Sequence, residues 1–162
     1  MTRPQKIKIK VTDPKYTPEK AHENDACYDL KARLPREIEI VPGEVVTLDT
    51  GIFLELPDNW EAQVRPRSGL ASKFGLTVTN TPGTIDSGYR GEVKVVLSLN
   101  KIMKRNESYL YAARNEEPLS LKDGMRIAQI AFRKVPPVSL EITTVDLVKS
   151  ERDTGGFGST GV

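Results

Sequence analysis

Residues 75–99 read GLTVTNTPGTIDSGYRGEVKVVLSL, in which two strand patterns flank two tight turns. Apolar and hydroxyl side chains alternate in Gly75–Thr79, which is the period of a half-buried strand. Val93–Leu99 is β-branched and apolar, which is typical of a more deeply buried strand. The turns lie at Pro82-Gly83 and at Ser87-Gly88. This stretch therefore predicts β structure arranged around a short hairpin.

The hairpin carries one carboxylate, Asp86, and one aromatic side chain, Tyr89. Two closely spaced turns would fix these side chains relative to each other, so that a base and a flat aromatic wall could hold a small ligand. The alternative is an ordinary hairpin with a solvated aspartate, and this stretch alone favours that alternative. A binding role therefore depends on the other motifs of the chain.

Length, charge and residue usage exclude several classes of protein. A chain of 162 residues suits one domain, which typically buries about two-thirds of its unfolded surface. A net charge of +2 without a dense cluster of Lys and Arg predicts no nucleic-acid partner. One cysteine, Cys27, and one histidine, His22, exclude an internal disulfide and a His/Cys metal site. Since no apolar run suits a membrane span or a signal peptide, we expect a soluble cytoplasmic protein without membrane contact.

Turn signals at intervals of about eight to twelve residues predict an all-β sandwich or barrel. Ile38–Ile40 and Val45–Leu48 are expected to form a hairpin around Pro42-Gly43. Asp13–Asn24 is predicted to be a loop, and Asn100–Asp123 a long exposed hairpin or loop. Further strands are predicted at Ile7–Val11, Ala26–Ala32, Thr50–Leu56, Glu61–Arg65, Ile127–Phe132 and Leu140–Val148.

One short helix is predicted at Pro66–Gly75, with Ser68 as its N-cap and Gly75 as its stop. Its first turn would present free backbone N–H groups beside Arg67, which suits an anion. A connector helix with a solvated arginine is an equal alternative. Gln129 is the polar member of a predicted buried strand, where an unpaired amide costs about 1–3 kcal/mol. Its side chain should therefore satisfy local backbone or face a polar pocket.

The C-terminal residues 151–162 combine glycines with hydroxyl side chains and one aromatic residue. Glycines would let the backbone wrap phosphate oxygens, to which Ser159 and Thr160 could donate. Arg152 would supply positive charge, and Phe157 a face on which a base could stack. The alternative is a disordered end. A tail of this composition would become ordered only over a ligand.

Together these motifs indicate a nucleotide with several phosphates, and their order resembles the homotrimeric deoxyuridine triphosphatase (dUTPase) family. The matching motifs are Ala26–Ala32, Pro66–Ala71, Gly83–Glu92, Gly124–Gln129 and Arg152–Gly161. The resemblance implies a jelly-roll-like β-barrel with one short helix over residues 1–150. It also implies a homotrimer in which residues 151–162 form a C-terminal arm, a lid that completes a neighbouring active site. The implied reaction is Mg²⁺-assisted hydrolysis of dUTP to dUMP and pyrophosphate, which keeps uracil out of DNA and supplies dUMP for pyrimidine synthesis.

The resemblance assigns a role to each matching residue. Asp86 is implied to be the general base for the water that attacks the α-phosphorus, and Tyr89 to pack against the deoxyribose. Mg²⁺ is implied to be carried by triphosphate oxygens, while Asp29 either contacts its waters or only braces the arginines. The implied uracil-reading residues are Asn80, Gly83, Thr84 and Ile85, with Lys94 nearby. The implied phosphate-binding residues are Arg67, Ser68, Gly69, Gln129 and Arg152, and Phe157, Gly158, Ser159 and Thr160 close over the substrate.

Two alternatives stay open. A dCTP deaminase shares the implied fold, although it lacks the Gly-rich aromatic tail. A nucleotide-sensing regulator could instead use Asn100–Pro118, which is longer than in many family members, to bind a protein partner.

Overall fold

The computed structural model describes residues 4–100 and 117–151, and the structural statements below refer to these residues. The strands are β1 (Lys8–Val11), β2 (Tyr28–Lys31), β3 (Ile38–Ile40), β4 (Val45–Glu55), β5 (Trp60–Arg65), β6 (Leu76–Val78), β7 (Gly83–Ile85), β8 (Glu92–Leu99), β9 (Leu119–Leu121) and β10 (Arg126–Lys134). The helices are a 3-10 helix (Pro14–Tyr16) and α1 (Ser68–Phe74). None of the described helices is long and apolar enough to cross a membrane.

The strands form two four-stranded antiparallel sheets and one small two-stranded sheet. The strand orders are β1-β4-β8-β6, β2-β10-β5-β7 and β3-β9. Their apolar faces meet in one core, whose fully buried members include Leu30, Ile52, Val95, Leu97 and Ile130. The prediction of an all-β fold with one short helix is confirmed.

The predicted hairpin of Ile38–Ile40 with Val45–Leu48 is wrong. β3 pairs with β9, whereas β4 pairs with β1 and β8. The turn after β3 leads the chain from the two-stranded sheet into the four-stranded sheet that contains β4. Within this turn, the Gly43 N–H donates to the Leu99 carbonyl at 2.7 Å. The predicted strand Thr50–Leu56 is confirmed up to Glu55, but it is not separate from Val45–Leu48, because one strand, β4, runs through both. Its pairing with β8 is irregular between Asp49 and Phe53, where Gly51 has a φ of 73°.

Two short elements lie in segments that were predicted to be loops. The 3-10 helix at Pro14–Tyr16 lies within Asp13–Asn24 and begins after Asp13, whose side chain accepts from the Lys15 N–H. β9 lies within Asn100–Asp123, and residues 101–116 of that segment lie outside the described residues. Both elements have only three residues, which is too short for periodicity to reveal.

The predicted last strand, Leu140–Val148, is absent from the single chain. These residues pair with no described strand, and their apolar side chains are exposed. Leu140 is 88% exposed and Ile142 is 93% exposed. The alternating pattern is that of a strand, but a strand forms only where a partner strand accepts its hydrogen bonds.

Helix α1 begins at Ser68, one residue earlier than a cap at Ser68 would place its start. Arg67 is its N-cap and makes no side-chain capping bond, so the prediction of Ser68 as the N-cap is wrong. Ser68 is instead the first helical residue. The predicted stop at Gly75 is confirmed, because this residue adopts the left-handed conformation with a φ of 71°.

Candidate active site

The Asp86 hairpin lies between β6 and β8, which pair with each other. Within it, β7 turns away from those strands and pairs with β5 in the second sheet. Asp86 follows β7 directly, and the Tyr89 N–H donates to the Asp86 carbonyl at 3.1 Å, which closes the turn. The Arg90 guanidinium donates to the Ser87 carbonyl at 2.6 Å and braces the same turn. Asp86 and Tyr89 therefore lie on one short turn that is closed by hydrogen bonds.

The Tyr89 ring lies across Gly91. A Cβ added at Gly91 would collide with the ring and its hydroxyl, so glycine is required for this placement. The Tyr89 hydroxyl donates to the Glu92 carbonyl at 3.0 Å. The ring is 45% exposed and is thus an aromatic wall rather than a part of the core.

A cavity of about 190 Å³ opens beside the hairpin and is lined by Thr84, Ile85, Asp86, Tyr89, Glu92, Val93 and Lys94. No described residue hydrogen-bonds to the Asp86 carboxylate, which is exposed. Lys94 also lines the cavity, and its ammonium donates to Asp49 at 2.8 Å. The hydrogen bond from Lys94 to Asp49 raises the pKa of Lys94 above its usual range, so the side chain stays charged.

Asn80 lies against the start of the hairpin. A Cβ added at Gly83 would meet the Asn80 Nδ2 at 3.3 Å, so the amide packs on the Gly83 backbone. Gly83 is itself buried. Asn80 therefore stands beside the Gly83 backbone at the start of β7.

A second cavity, of about 350 Å³, contains the predicted anion-binding residues. Asp29 lines this cavity and holds two arginines: the Arg67 Nε donates to Oδ1 at 2.9 Å and the Arg126 Nη1 donates to Oδ2 at 3.1 Å. Asp29 thus braces the arginines, which is one of its two predicted roles. The residues lining the cavity are Ala21, Asp25, Ala26, Cys27, Asp29, Arg67, Ser68, Gly69 and Gln129.

Gln129 satisfies both alternatives that its sequence position left open. Its Nε2 donates to the Pro66 carbonyl at 2.7 Å, and the side chain also lines the 350 Å³ cavity. This bond fixes the end of β5 just before Arg67. Ser68 and Gly69 are exposed at the first turn of α1, next to Arg67. Backbone N–H groups, a hydroxyl and a guanidinium therefore converge on one concave surface, which suits a phosphate chain.

The two cavities share no residue, and the strands that contribute to them, β7 and β10, lie on opposite sides of β5. Ile85 pairs with Ala62, whereas Gln129 pairs with Arg65 on the other side of that strand. Three residues along β5 and two strand spacings across the sheet separate Ile85 from Gln129 by roughly 14 Å. Asp86 lies beyond Ile85, further still from Gln129. Within one chain, the candidate base is therefore remote from the candidate phosphate site.

Sequence reasoning missed three charged residues at the site. Arg126 lies in a matched motif, but only the register of β10 against β2 shows that it shares Asp29 with Arg67. Glu92 ends the matched motif Gly83–Glu92, but its ion pair with Arg33, 59 positions away in sequence, has no local signal. The predicted tail residues Arg152, Phe157, Gly158, Ser159 and Thr160 lie outside the described residues.

The described residues contain no group of three His, Cys, Asp or Glu side chains that could hold a metal ion. Asp29, the one carboxylate predicted to approach a metal, already accepts from a guanidinium at each oxygen. This donor set fits a metal that is bound mainly by a ligand's own oxygens rather than by a protein cage.

Comparison with known proteins shows which family the chain belongs to. The family model for dUTPase matches residues 13–106. The deoxyuridine 5'-triphosphate nucleotidohydrolase of Caldanaerobacter subterraneus subsp. tengcongensis is 45% identical over 96% of this chain and 97% of its own. The chain belongs to the dUTPase family. It is therefore a hydrolase of nucleotide metabolism.

Solved structures give this dUTPase the same fold. The Staphylococcus bacteriophage 80alpha dUTPase, solved as a point mutant with dUpNHpp, superimposes with a TM-score of 0.75 at 22% identity, covering 98% of this chain and 100% of that chain. A point mutant of the dUTPase from phage phi11 of S. aureus, described with a structural Mg(II) ion, gives a TM-score of 0.70 at 20% identity. That match covers 87% of this chain and 98% of that chain. At such identities the likeness establishes the fold alone.

Proposed function

We propose that this dUTPase cleaves dUTP to dUMP and pyrophosphate at sites formed between chains of a homotrimer. In each site, one chain supplies the phosphate cavity at Arg67 and a second supplies the Asp86 hairpin. The observation that carries this proposal is the separation of the two cavities along β5. Because the Asp86 hairpin and the Arg67 cavity lie on opposite sides of β5 within a chain and share no residue, a neighbouring chain is proposed to bring the base to the phosphates.

The exposed segment after β10 supports assembly of several chains. Val138, Leu140 and Ile142 alternate along an extended stretch and are each more than four-fifths exposed. Apolar side chains in this arrangement are unfavourable in water and are typical of an interface. A strand pattern without a partner in its own chain is satisfied when the segment pairs with a neighbouring chain. This segment also leads directly to the C-terminal tail, which it would carry to a neighbour's site.

Asp86 is the proposed general base. Its exposed carboxylate accepts a proton from water, and the water oxygen forms a bond to the α-phosphorus. The bond between the α-phosphorus and the oxygen that bridges to the β-phosphorus then breaks, and pyrophosphate leaves with that oxygen. Since phosphoanhydride cleavage requires mainly positioning and charge neutralisation, one carboxylate suffices as base.

The hairpin is proposed to select the nucleoside. Tyr89 would pack against the deoxyribose and leave no space for a 2′-hydroxyl. Asn80 with the backbone of Gly83, Thr84 and Ile85 would read the uracil edge, with Lys94 beside them. Exclusion of thymine would depend on a clash of its methyl group with this rigid backbone, because apolar contacts alone discriminate a methyl group by only about 1–3 kcal/mol.

Arg67, Ser68, Gly69 and Gln129 are proposed to hold the phosphates. Mg²⁺ would enter on the triphosphate oxygens and neutralise part of their charge. Asp29 keeps Arg67 and Arg126 in place, and water of the metal shell could use its remaining lone pairs. From residues 151–162, Arg152 would reach the γ-phosphate and Phe157 would cover the base, with Gly158, Ser159 and Thr160 wrapping the phosphates. Such a lid excludes bulk water during the reaction.

Pyrophosphate release from dUTP, dCTP, dTTP and UTP, each with and without Mg²⁺, tests the proposed function. We expect release from dUTP alone and a strong dependence on Mg²⁺. Ammonia release from dCTP would instead indicate a deaminase. The named relatives favour the hydrolase over that alternative, and no described residue favours a protein partner at Asn100–Pro118.

A further inference from the structure

Glu92 forms a clamp at the base of the Asp86 hairpin. Its Oε1 accepts from the Arg33 Nε at 3.1 Å and from the Gly51 N–H at 2.7 Å, and its Oε2 accepts from the Arg33 Nη2 at 2.9 Å. The Glu92 side chain is only 14% exposed. A bidentate pair between a guanidinium and a carboxylate is the most strongly oriented ion pair available to proteins. Both Glu92 oxygens are therefore held by Arg33, and Oε1 is held in addition by the Gly51 N–H on β4.

The clamp extends to the cavity through a second carboxylate. The Arg33 Nη2 also donates to Asp49 Oδ2 at 2.9 Å, and Asp49 Oδ1 accepts from the Lys94 Nζ at 2.8 Å. Lys94 lines the same cavity as Asp86 and Tyr89. Glu92, Arg33, Asp49 and Lys94 thus form a chain of contacts in which anions and cations alternate. The hydrogen bond that Arg33 donates to Glu92 raises the pKa of Arg33 further above its usual range, so the guanidinium stays charged.

The backbone of Glu92 is hydrogen-bonded to the Tyr89 side chain. Its carbonyl accepts from the Tyr89 hydroxyl, while Gly91 gives the ring space to fold across the chain. This is the only hydrogen bond of the Tyr89 hydroxyl within the described residues. Because the ring is nearly half exposed, no packed core holds it in place. Its position therefore depends on where the Glu92 carbonyl stands.

We propose that Glu92, clamped by Arg33 and Gly51, is a positioning residue that sets the placement of Tyr89 and thereby the preference for deoxyribose over ribose triphosphates. The inference rests on the proposed role of Tyr89 as the wall against the sugar. A displacement of about 1 Å at a wall of this kind has large effects on substrate placement. If the clamp only tied β8 to β4, its loss would lower stability and leave sugar selectivity unchanged.

Glu92→Gln tests the clamp, because the amide keeps the size of the side chain and loses the charged pair. Arg33→Lys is a second variant, which removes the bidentate fork and keeps the charge. The measurement is the ratio of kcat/KM for dUTP to kcat/KM for UTP. We expect this ratio of kcat/KM values to fall about tenfold in both variants, because a tenfold change corresponds to the loss of one charge-assisted hydrogen bond. The matched control Lys8→Gln breaks the exposed ion pair with Glu55 and should leave the ratio unchanged.

Two further variants separate this inference from the proposed site. If Tyr89→Ala leaves the dUTP-to-UTP ratio unchanged, Tyr89 is not the sugar wall, and both proposals are overturned. If Tyr89→Ala lowers the ratio while Glu92→Gln and Arg33→Lys change only the melting temperature, the clamp alone is overturned. In a Tyr89→Phe background, where the hydroxyl bond is already lost, Glu92→Gln should add little to the loss of selectivity. An additive loss there would contradict the proposed route through the hydroxyl.

Discussion

Arg67 on the segment before α1 and Asp29 on β2 are joined by a 2.9 Å hydrogen bond between Nε and Oδ1. They are separated by 38 positions in sequence. Arg126 occupies the other oxygen of the same carboxylate, so one acid orients two cations at the edge of the 350 Å³ cavity. The position of the proposed phosphate-binding arginine is therefore set by a group that is not required to touch phosphate.

Asp29→Asn should weaken substrate binding more than it slows turnover. The amide cannot accept from both guanidiniums, so Arg67 is no longer oriented toward the phosphates. We expect KM for dUTP to rise about tenfold with kcat changed by less than about threefold. Steady-state pyrophosphate release measures both constants. Asp58→Asn, at an exposed turn, is the control; a fall in kcat with unchanged KM would contradict the bracing role.

Asp86→Asn should retain substrate binding and lose turnover. The amide has nearly the same shape as the carboxylate but cannot take a proton from water, and a positioned general base typically contributes about 10²- to 10⁴-fold. We expect kcat to fall by at least about 10²-fold, while binding of a non-hydrolysable dUTP analogue stays within about threefold of wild type. A variant that kept a near-normal rate would exclude Asp86 as the base.

Truncation after Ser150 should remove most of the turnover without unfolding the protein. The described core is formed by residues between Leu30 and Ile130, so loss of residues 151–162 should leave the melting temperature within a few degrees. Single-turnover hydrolysis of dUTP together with size-exclusion chromatography separates the two effects. Unfolding or dissociation of the shortened chain would show that the tail is structural, and that its proposed action as a lid is wrong.

Asp123 links the 3-10 helix to the turn before β10 and should make stability depend on acid. Its carboxylate accepts from Lys15 and Tyr16 side chains, each at 2.7 Å, and from the Leu34 N–H at 2.9 Å. The Lys15 ammonium, followed by the Leu34 N–H and the Tyr16 hydroxyl, lowers the pKa of Asp123 from 3.8 to about 2. A depressed pKa means that this stabilisation is present above about pH 4 and is lost as the pH falls toward 2.

Asp123→Asn should therefore lower the free energy of unfolding at pH 7 by about 1–2 kcal/mol. The loss is no larger because Lys15 is exposed, so that solvent weakens its ion pair with Asp123. The difference from wild type should shrink as the pH falls from 4 to 2. Urea unfolding at several pH values measures it, with Asp58→Asn as the control. A difference that stayed constant over this range would show that the charge of Asp123 does not stabilise the fold.

The sequence predicts the features of this dUTPase that depend on neighbouring residues. Gly75 ends α1 because glycine alone adopts its left-handed conformation without strain, and the turn that joins Asp86 to Tyr89 follows from Ser87-Gly88. Pairing between distant segments was not predictable. The register that brings Arg126 to Asp29 and the pairing of β3 with β9 both depend on long-range packing.

Leu140–Val148 shows the same limit in another form. Its alternation predicts a strand that the single chain does not form, because a strand also depends on a partner that accepts its hydrogen bonds. Local patterns therefore identify which residues can act, while the folded chain places Asp86 and Arg67 in two separate cavities.

Co-expression of two inactive variants tests the shared site most directly. Asp86→Asn removes the base and Arg67→Gln removes a phosphate-binding cation, so each variant alone should release little pyrophosphate from dUTP. In mixed trimers, an Arg67→Gln chain supplies an intact hairpin to the intact phosphate cavity of an Asp86→Asn chain. Random assembly of equal amounts should restore about a quarter of the sites. Recovery of about a quarter of wild-type activity is the predicted result, and activity no higher than that of the two variants measured separately would contradict a site shared between chains.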